Sequence, residues 1–356
     1  MTNEATAHPP GGLTPSLRTL VGLAAVVVVL VGLSLARDIV GPLAVAAVIV
    51  IICNPVRRPL ERWGWPSWLA TTAVIALSWS VLLVLALMLA YAAARFTDMV
   101  FEHYAMLYAS ARETVALFSG LGLDAQIAEV AAGVLSPTAI ARFATQLGMG
   151  ALEVLTALFF IFAYAIFMAA DASRFGRAEK RFGPSVRRSV GRFASFNDSV
   201  RRYYVVNATF GLIVAVIDGL ALWWLGVPAP TVWAILAFVT NFVPNIGFVL
   251  GLVPPAILAF VVGGWPLLLA VIAIYAVVNV VLQVLVQPKF VSDAVNLSLT
   301  LTFLSVLFWT FIIGPLGAIL AIPLTLLLRA LVLEGDPKHR WLRWLSGDDA
   351  VEPATR

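Results

Sequence analysis

Charge is scarce in this chain. Only 12% of its 356 residues are Asp, Glu, Lys or Arg, against 61% that are hydrophobic. A soluble protein of this length could not bury so much apolar surface, which leaves a polytopic membrane protein. Cysteine is almost absent. The lone Cys53 lies within an apolar run, so neither a disulfide framework nor a thiolate metal site can be built. The three histidines, His8, His103 and His339, are scattered and suggest no metal cluster. The chain carries no His-Glu-x-x-His, no nucleophile elbow and no Walker-type phosphate loop. An enzyme is therefore not expected, nor a cofactor, nor transport driven by the chain's own ATP hydrolysis. No basic patch on a folded domain points to nucleic acid.

What is present is a succession of apolar runs. Residues 1–16 are polar, with Pro9, Pro10, Gly11, Gly12 and Pro15, and read as a disordered tail. The segment 17–94 holds three spans, 17–36, 40–53 and 68–94. Ser34-Leu35-Ala36 mimics a cleavage site, but the run is long for a signal peptide and more spans follow. Arg57, Arg58, Glu61 and Arg62 lead into Trp63-Gly64-Trp65-Pro66, a basic, aromatic interfacial turn. Residues 95–147 have mixed polarity with apolar positions at helical spacing, and Ser136-Pro137 is a helix start. They predict an extracytoplasmic amphipathic insertion, either a solvated cap or an oligomer or gate element. A span over 148–171 precedes the basic segment 172–203, read as a positive-inside loop or as an amphipathic helix lying on an anionic leaflet. The core occupies 204–335, and 336–356 form a tail.

The organising stretch is 231–263. It is too apolar for a loop and too broken for one helix. Asn241, Pro244, Asn245 and Gly247 interrupt its middle, and Pro254 and Pro255 follow. As a straight helix it would run about 50 Å, against a hydrocarbon core of about 30 Å. Broken backbone at membrane depth is tolerated only inside protein or beside a water-filled cavity, so this stretch is the first place to seek a transport site. The block 299–333 repeats the pattern, breaking at Ile313-Gly314-Pro315-Leu316-Gly317 with Pro323 further on. Both read as re-entrant hairpins.

Charge sets the orientation. The loops 57–62 and 171–202 and the tail with Lys338, Arg340 and Arg343 are basic, so they and both termini belong in the cytoplasm. The fold class is all-α: about six full spans, two re-entrant broken hairpins, a small extracytoplasmic helical insertion and an inverted repeat. In that repeat, the fifth span plus a hairpin from outside mirrors the sixth plus a hairpin from inside. Counting both hairpins as pairs of thin spans gives the same end points.

The run Gly226-Val227-Pro228, then Asn241-Phe242-Val243-Pro244-Asn245-Ile246-Gly247, then Gly251 and Pro254, resembles the signature of the autoinducer-2 exporter (AI-2E) family of membrane transporters. So does Gln287-Pro288 followed by Gly314-Pro315-Leu316-Gly317-Ala318-Ile319-Leu320-Ala321-Ile322-Pro323-Leu324, and so does Asn54-Pro55 with Pro59-Leu60-Glu61. The resemblance covers about residues 20–335, mostly through the C-terminal half. It implies a bacterial cytoplasmic (inner) membrane transporter. Members are assigned to quorum-signal export or to sodium–proton antiport. Many relatives have Gln where this chain has Asn207, and an acidic or Asn-containing turn where it has Gln283 and Val284.

The polar residues within spans complete the candidate pathway. Asp218 is the only carboxylate well inside a span. At a cost of about 2.5–3.5 kcal/mol for insertion, it should face the bundle interior. It is a cation or proton relay, a mouth-lining group, or a carboxyl satisfied by a neighbour. Asn241 and Asn245 either cap half-helices or bind a polar cargo. Asn279, Gln283 and Gln287 recur every four residues and form one helical stripe, as interhelical glue or as pore lining leading into Gln287-Pro288. With Asn207, Gly247, Gly251, Gly314, Pro315, Gly317 and Pro323, these define the expected solute and ion path. The expected partners are the bilayer, a small polar solute, Na+ or H+, and further copies in a homo-oligomer. Export by alternating access is the leading reading. Sodium (or lithium)/proton antiport is the alternative, and a non-transporting membrane scaffold the third.

Overall fold

A computed structural model describes residues 14–102, 157–171, 181–244, 246–287, 290 and 297–332. Among these the protein is all-helical, with no strand. In chain order the helices are α1 (Pro15–Leu35), α2 (Arg37–Cys53), α3 (Arg57–Arg62), α4 (Ser67–Glu102), α5 (Ala157–Asp171), α6 (Arg187–Trp224), α7 (Pro230–Thr240), α8 (Gly247–Asn279), α9 (Leu299–Ile313) and α10 (Pro315–Val332). Four stretches, running through α2–α3, α4, α6 and α8, are long and apolar enough to cross a membrane. The exposed faces of these helices are themselves apolar, as on α4 (Leu83, Val84, Leu87) and α6 (Leu212, Val216, Leu220). That surface is suited to lipid rather than water.

The expected breaks lie where the backbone-disrupting residues are. α7 has 11 residues, about 16 Å of rise, and cannot cross a core of about 30 Å. The chain then turns through 241–246 and returns as α8. α8 runs straight through Pro254 and Pro255, which do not break it. It is interrupted at Gly264, whose φ of 64° and ψ of −158° are accessible to glycine without strain. The return limb therefore ends there, and a separate span begins at Trp265. The second hairpin is α9 and α10, of 15 and 18 residues, joined at Gly314 with φ 79°.

Both hairpins close by the same device. A Cβ on Gly247 would collide with the Thr240 carbonyl, and a Cβ on Gly317 with the Trp309 carbonyl. Each glycine lets the two limbs approach at backbone distance just beyond the turn. The second hairpin is further tied by Trp309 Nε1 donating to Thr325 Oγ1 (3.0 Å), which donates to Ser305 Oγ (2.9 Å).

The hairpins meet at their tips. Val243 and Ile246 of the first pack into one apolar cluster with Ile312, Ile313 and Leu316 of the second. Tyr204 of α6 bridges them. Its ring stacks on Phe242 at 6.1 Å and its hydroxyl donates to the Ile319 carbonyl at 2.9 Å. Around this centre, α2 packs on α6 and α10 through Val48, Val200 and Leu320, and on α4 and α5 through Val50, Val74 and Ala165.

Two expectations change. The basic segment is not a separate surface element where it is described: from Arg187 it is the first part of α6, one helix of 38 residues, about 57 Å long. No helix breaker stands between the basic stretch and the span, so the helix continues. Likewise the third span runs to Glu102 as one 36-residue helix, while 103–147 lie outside the described residues.

Candidate functional site

α6 and the 265–287 limb flank the tip of the first hairpin, and each carries polar groups on the face turned to it. On α6, Asn207 and Asp218 lie eleven residues apart, three helical turns on one face. On α8, the expected stripe begins one turn earlier than the amides suggest, at Tyr275. It continues through Asn279 into a π-helical turn, Val280–Val286, which carries Gln283 and leads to Gln287. Wide turns of this kind are rare and concentrate at functional sites.

Four carboxamides from three elements join here. Asn241 Nδ2 donates to the Asn207 carbonyl at 2.8 Å. Gln283 Nε2 donates to Asn241 Oδ1 at 2.8 Å, and Gln287 Nε2 donates to Asn207 Oδ1 at 2.6 Å. The π turn changes the angular spacing of Gln283 and Gln287, so that one reaches the hairpin tip and the other reaches α6. Gly211 makes room for the clasp, because a Cβ there would lie 2.8 Å from Asn241 Nδ2. Asn207 is 4% exposed, and its Nδ2 has no partner among the described residues.

Asn241 does not cap α7 with its side chain, contrary to the capping reading. It sits at the C-terminal cap position, but its amide is committed to Asn207 and Gln283. The turn brings it level with α6, whose Gly211 leaves an opening. The start of α8, at Ile246, has no side-chain cap, and Asn245 lies outside the described residues.

Asp218 is fully buried, which excludes the mouth-lining reading. Neither of its oxygens has a hydrogen-bond partner among the described residues. Tyr275 is 1% exposed and its hydroxyl is likewise unpartnered. Asp218, Tyr275, Asn279, Asn241 and Gln283 line one cavity of about 10 Å³, room for about one water. Asn279 donates to the Tyr275 carbonyl of its own helix at 2.8 Å. The stripe therefore faces a packed interior in this conformation, not an open pore.

The remaining expected residues divide by position. Gly251 packs on the α7 limb, where a Cβ would lie 2.9 Å from Thr240 Oγ1. Pro244 lies in the first turn, and Gly314, Pro315 and Gly317 form the second, with Pro315 opening α10. Pro254 and Pro323 lie inside α8 and α10 and do not reach the clasp. Pro288 is outside the described residues. Sequence reasoning missed Tyr204 and Tyr275. The fourfold spacing from Tyr275 to Gln287 was a usable signal for the second, whereas nothing local marks Tyr204 as the bridge.

Comparison with known proteins fits this architecture. The sequence profile of the AI-2E family transporter matches residues 23–335. The AI-2 transport protein TqsA of Escherichia coli (strain K12) is 27% identical over 321 residues, covering 88% of this chain and 91% of TqsA. A Haemophilus influenzae relative, provisionally named a transport protein, is 27% identical over 336 residues, covering 93% of this chain and 96% of its own. YhhT of Escherichia coli (strain K12), also provisionally named for transport, is 27% identical over 312 residues, 87% of this chain and 88% of YhhT. A family match that runs over residues 23–335, most of the length, on an all-helical chain with helices apolar enough to cross a membrane, leads to one assignment: the chain belongs to the AI-2E family of membrane transporters.

Proposed function

We propose that the protein exports a small, uncharged, hydroxylated solute from the cytoplasm by alternating access, and that the amide clasp is its binding site. The observation that carries this reading is the set of four carboxamides, one buried (Asn207) and three half-buried (Asn241, Gln283, Gln287), hydrogen-bonded to one another at a broken hairpin. Amides offer donors and acceptors in balance and no net charge, which suits hydroxyl and carbonyl groups better than ions. The name of TqsA, an AI-2 transport protein, agrees with a small signal molecule as cargo.

The clasp is weak enough to open. Interhelical hydrogen bonds in membranes average about 0.6 kcal/mol, so its three bonds sum to about 2 kcal/mol. That corresponds to a population ratio of about 30. A solute replacing those bonds compensates for their loss. The test is flux in proteoliposomes with a panel of small polyols and hydroxyketones. Asn241→Leu should lower flux at least tenfold while the protein still inserts and binds detergent micelles as a monodisperse species. Normal flux in this variant would remove the clasp from the mechanism.

A second reading is favoured by Asp218. A fully buried carboxyl with no partner among the described residues, beside a one-water cavity and the Tyr275 hydroxyl, suits a site that exchanges a proton or Na+ during transport. The gradient dependence of flux separates solute transport alone from coupled antiport.

A further inference from the structure

Among the described residues a second, larger cavity shares no residue with the clasp. It measures about 610 Å³ and lies between α2, α5 and α6. Its volume falls in the range of about 300–1,000 Å³ typical of small-molecule sites. Its lining is graded along its length. Leu43, Ala47 and Tyr164 lie toward one end of this slot and Arg58 and Asp171 toward the other, with the Arg201–Asp198 pair between them. Leu43 and Arg58 are fifteen residues apart, about 22 Å along the helix axis.

The charged end lies at the level of the membrane surface, because the adjoining Trp63, Trp65 and Trp68 are exposed in the manner of an interfacial belt. The apolar end lies toward the bilayer centre. Polarity thus changes along the slot as it does along a lipid within one leaflet. The charged end also carries both signs. Arg58 makes no ion pair among the described residues, whereas Arg201 is held by Asp198 at 2.7 Å. Between the ends, Asn197 lines the slot with its carboxamide oxygen unpartnered among the described residues.

We infer that the slot holds one zwitterionic glycerophospholipid. Its phosphate binds Arg58, its ammonium lies among the carboxylates and Asn197, and one acyl chain fills the apolar length. Ten of the sixteen lining side chains are apolar, which disfavours a small polar solute here.

Native mass spectrometry of the full-length protein, titrated with dioleoyl phosphatidylethanolamine or dioleoyl phosphatidylglycerol, tests the inference. One phosphatidylethanolamine per protomer should survive delipidation and bind at least tenfold more tightly than phosphatidylglycerol. Arg58→Gln should weaken it at least tenfold. Ala194→Phe should abolish it; Ala194 lines the slot yet is exposed, so the larger ring fills the slot without disturbing packed neighbours. Glycerophosphoethanolamine, the headgroup without chains, should not compete. Equal retention of both lipids, retention unchanged in Ala194→Phe, or displacement by the chainless headgroup or by the transported solute would each overturn the assignment.

Discussion

At the scale of single residues, Asp218 and Gly211 are the informative positions. Asp218→Asn keeps the shape of the side chain and gains a donor, but cannot ionise. If Asp218 carries a coupling ion, the variant should keep downhill flux and lose all response to imposed sodium or proton gradients. An unchanged gradient response would make Asp218 a structural residue. Gly211→Ala puts a methyl 2.8 Å from Asn241 Nδ2, so Asn241 must withdraw from the Asn207 carbonyl. The expected result is a severalfold loss of solute flux, measured in proteoliposomes, and a destabilisation of about 1 kcal/mol, measured by thermal unfolding in detergent. Normal flux with the same destabilisation would dissociate packing from the clasp.

At the scale of elements, composition alone was enough to declare the helices. The breaks were legible because Pro, Asn and Gly do not occur by accident in the middle of a long apolar run. Asn241, Pro244, Gly247 and Gly314 marked both turns to within a few residues. Pro254 and Pro255 lie inside one helix, as expected, because proline inside an apolar helix is tolerated when neighbouring helices absorb the freed carbonyls. The continuity of α6 through its basic stretch was not legible, because charge periodicity does not distinguish a helix on the membrane from one standing out of it. The site was half legible. Asn207, Asn241, Gln283 and Gln287 were each singled out, but their mutual bonds depend on a π turn that no local signal announces. The element-scale prediction concerns that hairpin architecture. Gly317→Leu keeps apolarity but drives a side chain into the Trp309 carbonyl. Transport should fall by more than tenfold while membrane insertion is kept, and Pro244→Leu should act in the same direction through the other turn. Wild-type flux in both variants would mean that the breaks are not mechanistic.

At the scale of the molecule, orientation is the property that flux and labelling share. In a Cys53→Ala background, Glu61→Cys should react with an impermeant maleimide only from the cytoplasmic side, and Trp224→Cys, which replaces a highly exposed ring, only from outside. Reversed labelling at either position would invert the proposed direction of every element. The short limb α7 has a consequence for biosynthesis. Eleven residues do not satisfy the translocon as a span, and the carbonyls at its inner end would face hydrocarbon if it entered alone. The docking surface it needs, from Gly211 to Gly219 on α6, has already left the ribosome when α7 emerges. The second hairpin is made only after the first has turned, so each short limb enters against a finished wall. Assembly order is thereby written into the chain's direction, and a circular permutant that placed α7 before α6 should insert poorly even with every contact of the final fold available to it.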